Sequence, residues 1–173
     1  AAISDIGHRR AMQATRPGMH EYEIEAELLH AFRQGGAQSP AYPAIVAGGA
    51  NACVLHYVSN ACRLADGDLL LIDAGCELDG YASDITRTFP VNGRFSGPQR
   101  DVYQLVLAAQ HAAIEATAPG VGWNIPHDAA VAVLAQGMLD LGLLAMIGKA
   151  ERGHDAVEVI SRFKVAYLMA TGG

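Results

Sequence analysis

The chain is predicted to adopt an α+β fold, and three observations predict it. An apolar run, Leu69 to Ile72, reads as a buried strand that ends at Asp73. Asp79-Gly80 then reads as a tight hairpin turn, with Tyr81 to Phe89 returning as a second strand. Apolar stripes of helical period stand before and after this hairpin. Strands flanked by helices imply an α+β domain, with helices covering one face of a mixed sheet.

Each element has its own signals. Ile3 to Thr15 reads as a helix stopped by Pro17-Gly18. Glu21 to Gln34 reads as an amphipathic helix with Ile24, Leu28 and Ala31 on one stripe, closed by Gly35-Gly36. Ala41 to Val46 reads as a strand, and Gly48, Gly49 and Asn51 as a loop. Ala52 to Tyr57 is a short apolar stretch containing His56. After the hairpin, Val91-Asn92-Gly93 turns the chain away from the sheet. Ser96-Gly97-Pro98-Gln99 reads as the start of a helix that runs from about Gln99 to Thr117, where Pro119-Gly120 stops it. Asn124 or Pro126 opens a last helix, continuing to about Leu144, with Val131, Leu134, Met138 and Leu141 as its apolar face.

The hairpin register follows from its turn. If Asp79-Gly80 is a two-residue turn, Leu78 faces Tyr81 and Asp73 faces Thr86. Asp84 is then the diagonal neighbour of Asp73 on the same face, roughly 7–8 Å away at the backbone. Two carboxylates reaching inward from there can share one or two cations. Burying both without a cation or a proton is very costly. Such hard oxygen ligands suit Mg²⁺ or Mn²⁺, and also Zn²⁺ or Co²⁺ where histidine joins them. Asp79 reads as a turn residue with no chemistry. The ordinary alternative is a pair of exposed hairpin carboxylates. The apolar run leading directly into Asp73 argues against it.

Composition excludes several classes. The 173 residues fit one domain with a sizeable core. Aromatic residues are 6% against 51% hydrophobic, so the core must be largely aliphatic. A net charge of −6 offers no basic footprint for nucleic acid. No apolar run is long enough to span a membrane. Cys53, Cys62 and Cys76 lack metal-ligand spacing and read as reduced core thiols of a cytoplasmic protein. His8, His20, His30, His111, His127 and His154 show no paired metal spacing and read as surface or capping residues.

The hairpin sequence also carries a resemblance. IDAG, followed by an aspartate eleven residues after Asp73 in SDITRTFPVNG, resembles the metal-binding hairpin of the pita-bread metallopeptidases. HRRAMQATRPGMHEYEIEAEL, YPAIVAGGANACVLHY and DITRTFPVNGRFSGPQRDVYQLVL resemble the Xaa-Pro aminopeptidase (aminopeptidase P) branch of that family. The resemblance runs from about Ile3 to Leu144. It implies a pita-bread fold, incomplete at its C-terminal end, in one partial domain over 1–173. It implies a metal-dependent aminopeptidase that removes the residue before proline through a metal-activated water. The implied cofactors are two divalent cations, Mn²⁺ foremost, with Co²⁺ or Zn²⁺ as alternatives. The implied ligands are Asp73 and Asp84, and the implied partner is a peptide with proline in second position. Prolidase and methionine aminopeptidase share the hairpin, and a non-catalytic peptide-binding or protein-binding module keeps the same fold, so both stay open.

Three further residues have two readings each. His56, ending an apolar stretch, is by default a hydrogen-bonded core or edge histidine. The resemblance makes it a catalytic and substrate-binding group that stabilises the developing oxyanion. Tyr42 is either a core aromatic or, by resemblance, a residue lining the substrate pocket. Thr86 either supports a ligating carboxylate through its hydroxyl or is an ordinary β-branched strand residue. Asn51 is expected to cap a turn or to orient His56. Arg87 alternates to the opposite face and is expected to be structural or exposed.

Beyond Leu144 the resemblance fades. The family's ligating histidine and two ligating glutamates find no counterpart in AMIGKAERGHDAVEVISRFKVAYLMATGG. Two of five expected protein ligands are therefore visible. An uncovered sheet edge is expected to favour self-association, as a homo-oligomer or an aggregate.

Overall fold

The computed structural model describes residues 1–144, so the expectations for 145–173, His154 among them, lie outside the described residues. The described chain forms two compact units, which divide between Phe95 and Ser96.

The first unit begins with α1 (Ala2–Ala14) and α2 (Glu21–Gln34). The two helices match the sequence expectation to within a residue. A carboxylate closes the start of α2: the backbone N–H of His20 donates to Glu23 Oε2 at 2.6 Å. Ile24, Leu28, Ala31 and Phe32 are buried along one stripe of α2.

Six short strands follow: β1 (Ser39–Pro40), β2 (Ile45–Gly48), β3 (Leu69–Asp73), β4 (Cys76–Leu78), β5 (Tyr81–Ala82) and β6 (Thr86–Pro90). They pair as two three-stranded sheets, β2-β3-β6 and β1-β4-β5. Among the described residues every pairing is antiparallel, where a mixed sheet was expected. The expected strand over Ala41–Val46 starts only at Ile45, because Pro43 cannot donate to a ladder. Asn60, itself buried, takes over at that point: its amide donates to Ala44 O and its Oδ1 accepts from Val46 N. Gly49–Cys53 forms a 3₁₀ turn rather than an open loop. The apolar stretch after it is not a strand, since Val54 and Leu55 are more than half exposed.

Side chains alternate across β2 and β3 and define two faces. Val46, Leu70 and Ile72 pack against Ala11, Ile24, Leu28 and Phe32 of the helices. Burial of each large aliphatic or aromatic side chain here contributes about 1.5–3 kcal/mol. Ile45, Ala47 and Leu71 point the other way and are covered by Ala52 and Tyr57. Asp73 stands on this second face, in register with Ile45 on one side and Thr86 on the other.

The hairpin keeps the expected register along its whole length. Leu78 faces Tyr81 and Asp73 faces Thr86. Asp79 and Gly80 both take positive φ, 54° and 82°, as a two-residue turn matching strand twist requires. The return is nevertheless two strands, not one, because the ladder is pinched at Gly75. A Cβ placed on Gly75 would lie 1.6 Å from Ser83 O, so only glycine admits this approach. Ala74 N and Ser83 N still bond across it to Ile85 O and Cys76 O.

The second unit contains α3 (Gly97–Ala116) and α4 (Ile125–Asp140). At the helix start read from the sequence, Ser96 and Gln99 form a capping box, with Ser96 N donating to Gln99 Oε1 at 2.9 Å. Ala109, Ala130 and Leu134 are buried between the helices, flanked by Leu105 and Val106. The buried stripe of α4 is Ala130, Leu134 and Met138, whereas Leu141 is the exposed C-cap.

The pinch makes a direct prediction. Gly75→Ala forces the backbones apart next to Asp73 and Asp84, and should cost about 3 kcal/mol, the upper end of ordinary overpacking. Chemical denaturation of the variant measures this; an unchanged midpoint contradicts the pinch.

Candidate metal centre

Three oxygens from distant parts of the sequence meet on the second face of the β2-β3-β6 sheet. The Tyr42 hydroxyl lies 2.6 Å from Asp73 Oδ1 and 2.7 Å from Asp84 Oδ1. β3 delivers Asp73, the pinched return strand delivers Asp84, and the irregular segment before β2 delivers Tyr42. A phenol carries one proton and donates it to one acceptor at a time. Two carboxylate oxygens therefore converge on a single donor.

The electrostatics reflect that shortage. Burial pushes the Asp73 carboxyl above its usual range; the Tyr42 hydrogen bond opposes the rise, and the Asp84 charge adds to it. The Tyr42 phenol is pushed far above its ordinary value, first by burial and then by its bonds to Asp73 and Asp84. Thr86 is 1% exposed beside Asp73. Its hydroxyl is close enough to favour the ionised form of Asp73, but the contact falls short of a formed hydrogen bond. Asp84 is exposed and Asp73 half-buried, so the expected burial of both carboxylates is corrected; a buried hydroxyl without a hydrogen-bond partner among the described residues and two carboxylates on one donor still fit a cation. The donors are hard oxygens and fit a divalent cation. Among the described residues, no group of three or more His, Cys, Asp or Glu side chains is placed to hold a metal. Asp73 and Asp84 are the two carboxylates that meet there.

The remaining expected site residues divide. Tyr42 is not a core aromatic; its hydroxyl touches both carboxylates. His56 is exposed, and it occupies a turn with φ of 53° rather than the end of a strand. Among the described residues it makes no side-chain hydrogen bond, so neither Asn51 nor the carboxylates orient it. Asn51 instead donates to Glu21 and Tyr57. Arg87 is exposed, as expected. The reading of the cysteines is corrected in part: Cys76 is buried, but Cys53 and Cys62 are exposed.

The sequence reading missed a clamp beneath the hairpin. His8 is not a surface residue. It is 3% exposed, and its Nε2–H donates to Ala74 O at 3.0 Å. Burial holds its imidazole below the ordinary range, and its buried Nδ1 has no hydrogen-bond partner among the described residues. One turn earlier, the Ser4 hydroxyl lies 2.6 Å from Ser83 Oγ and accepts from Cys76 N at 3.1 Å. Residues next to both carboxylates are thereby tied to α1. Only the one-turn spacing of Ser4 and His8 hinted that they share a helix face.

The metallopeptidase family M24 model matches residues 1–164, so the chain belongs to that family. Among curated proteins, the Xaa-Pro aminopeptidase of Haemophilus influenzae is 56% identical over 142 residues, covering 82% of this chain and 33% of the relative. The Xaa-Pro aminopeptidase of Escherichia coli is 46% identical over the same length, covering 82% and 32%. Among solved structures, Pseudomonas aeruginosa aminopeptidase PepP aligns with a TM-score of 0.83 and 52% identity, over 94% of this chain and 35% of that one. A zinc-substituted Escherichia coli aminopeptidase P in complex with product aligns at 0.82 and 42%, over 94% and 35%. The fold is accordingly the pita-bread fold, in part. The chain spans about a third of the length of the curated relatives it matches.

The raised Asp73 pKa sets a pH dependence. The native chain holds this proton more tightly than the unfolded chain. Its contribution to stability is therefore best at acid pH, and falls as pH rises through the interval above about 4, the unfolded value. Asp84→Asn removes the like charge. With divalent cations chelated, this variant should melt higher than the parent at about pH 7, and its Tm should fall less steeply from acid to neutral pH. A lower Tm at neutral pH contradicts the charge crowding.

Proposed function

We propose that this chain contributes part of the catalytic surface of a metal-dependent aminopeptidase that removes the residue preceding proline. The convergence of Asp73, Asp84 and Tyr42 carries this reading. Its specificity for proline rests on the Xaa-Pro aminopeptidases the chain is similar to.

Asp73 and Asp84 would hold the cations: two of them, with Mn²⁺ as the working metal and Co²⁺ or Zn²⁺ as substitutes. Bound there, the cations supply Lewis-acid activation of water and of the scissile carbonyl. The chain's own residues supply the rest. Tyr42 donates to whichever carboxylate oxygen is not engaged, which fixes the spacing of the pair. Thr86, buried beside Asp73, orients its carboxylate. His56, exposed on the loop after β2, donates a hydrogen bond to the substrate carbonyl as charge develops there. The substrate is a peptide with a free N-terminus and proline in second position. The protein works in the cytoplasm, where Cys53 and Cys62 stay reduced, and it self-associates.

The test is peptide cleavage with Mn²⁺ by a protein that carries this chain together with a full set of metal ligands, comparing an Xaa-Pro tripeptide, an Xaa-Pro dipeptide and a Met-Ala peptide. Release of the first residue of the Xaa-Pro tripeptide is expected. Asp73→Asn should abolish it, and Thr86→Val should lower it about 10–100-fold. Preference for the dipeptide or for Met-Ala, or failure to cleave any of the three, overturns the assignment.

A further inference from the structure

Glu21 is the one acidic residue of the described chain that is wholly buried, at 0% exposure. All four of its hydrogen-bond partners are donors. Oε1 accepts from Gly48 N at 2.8 Å and from Asn51 Nδ2 at 2.9 Å. Oε2 accepts from Tyr57 OH at 2.8 Å and from Cys62 N at 2.8 Å. Each oxygen thus takes two bonds, the pattern of a carboxylate. Charge-assisted bonds of this kind are roughly twice as strong as neutral ones. No Lys, Arg or His forms an ion pair with it among the described residues.

The partners share one property: they bracket a single loop. Gly48 ends β2, Asn51 lies in the 3₁₀ turn, Tyr57 follows His56, and Cys62 closes the excursion. Apolar packing holds this loop weakly. Val54, Leu55 and Val58 are all more than half exposed, and only Ala52 and Tyr57 pack on the sheet. Glu21 sits at the first position of α2, a rigid element buried against β2 and β3. It therefore ties the loop to the scaffold at Asn51, Tyr57 and Cys62, while Asn60 is bonded separately to Ala44, Val46 and Glu25.

We propose that Glu21 is a positioning residue: its carboxylate holds the 49–62 loop, and through that loop places His56 for the peptide. The second half rests on the function proposed above. Asp73 and Asp84 lie outside this network, so the loop and the cation cradle are separable. Glutamine cannot replace the carboxylate. Its one carbonyl oxygen serves one side of the network, while its NH₂ faces the Cys62 N–H, another donor.

The test is Glu21→Gln in the 173-residue chain, read by hydrogen exchange across the molecule and by Mn²⁺ and Xaa-Pro tripeptide titrations. Exchange in peptides spanning 48–62 should speed up at least about 10-fold, with β3 and β6 unchanged. Mn²⁺ affinity should stay within about twofold, and tripeptide affinity should fall. Tyr57→Phe removes one of four bonds and should give a smaller, equally local change, so it decides the matter if Glu21→Gln does not fold. Unchanged exchange over 48–62, or a uniform rise over both sheets, overturns the positioning role. Local release with unaltered tripeptide affinity overturns the link from the loop to the peptide. If the parent chain binds no tripeptide at all, the proposed function fails, and the exchange arm alone decides the role of Glu21.

Discussion

One proton among three oxygens is the constraint on which the candidate centre depends. Tyr42 can satisfy Asp73 or Asp84, not both at once. Placing like charges this close is unfavourable in a partly buried site, and burial of Asp73 increases the cost. The scaffold imposes the arrangement regardless. The hairpin register sets the two aspartates on one face, the Gly75 pinch brings the strands together, and Ser4 and His8 lash the pinch to α1. A cation turns that crowding into coordination, which is the simplest reason for a fold to maintain it.

The same face is organised in two separable pieces. Beneath the aspartates, small polar groups of α1 bind the hairpin backbone at Ala74, Cys76 and Ser83. Beneath the 49–62 loop, the Glu21 carboxylate gathers two backbone amides, an amide side chain and a phenol. Both anchors use buried polar groups with directional partners. Apolar packing excludes water from the core on the helix face but does not set the angle of a carboxylate or an imidazole. Directional hydrogen bonds from rigid helices do.

Local chemistry was legible in the sequence wherever a short-range rule governed it. Asp79-Gly80 set the turn, the turn set the register, and the register put Asp73 opposite Thr86 with Asp84 on the same side. Ser96 and Gln99 announced the start of α3, and the Ile24-Leu28-Ala31 stripe announced the buried face of α2. Long-range partners were not legible. Nothing near His8 says that its ring is buried against Ala74, sixty-six positions away. Nothing near Glu21 marks a helix-opening glutamate as wholly buried rather than solvated. Tyr42 belonged to a motif, but its bond to both carboxylates needed the fold. Pro43 and the pinch at Gly75 shortened strands that alternation alone would have drawn longer.

A cation held by Asp73 and Asp84 would compete there with a proton. Calorimetric titration of the chain with Mn²⁺ at several pH values tests it most directly. Binding should weaken toward acid pH, release a proton as the cation is taken up, and disappear in the Asp73→Asn and Asp84→Asn variants. Binding that is independent of pH and survives both substitutions, or no binding at all, would contradict it.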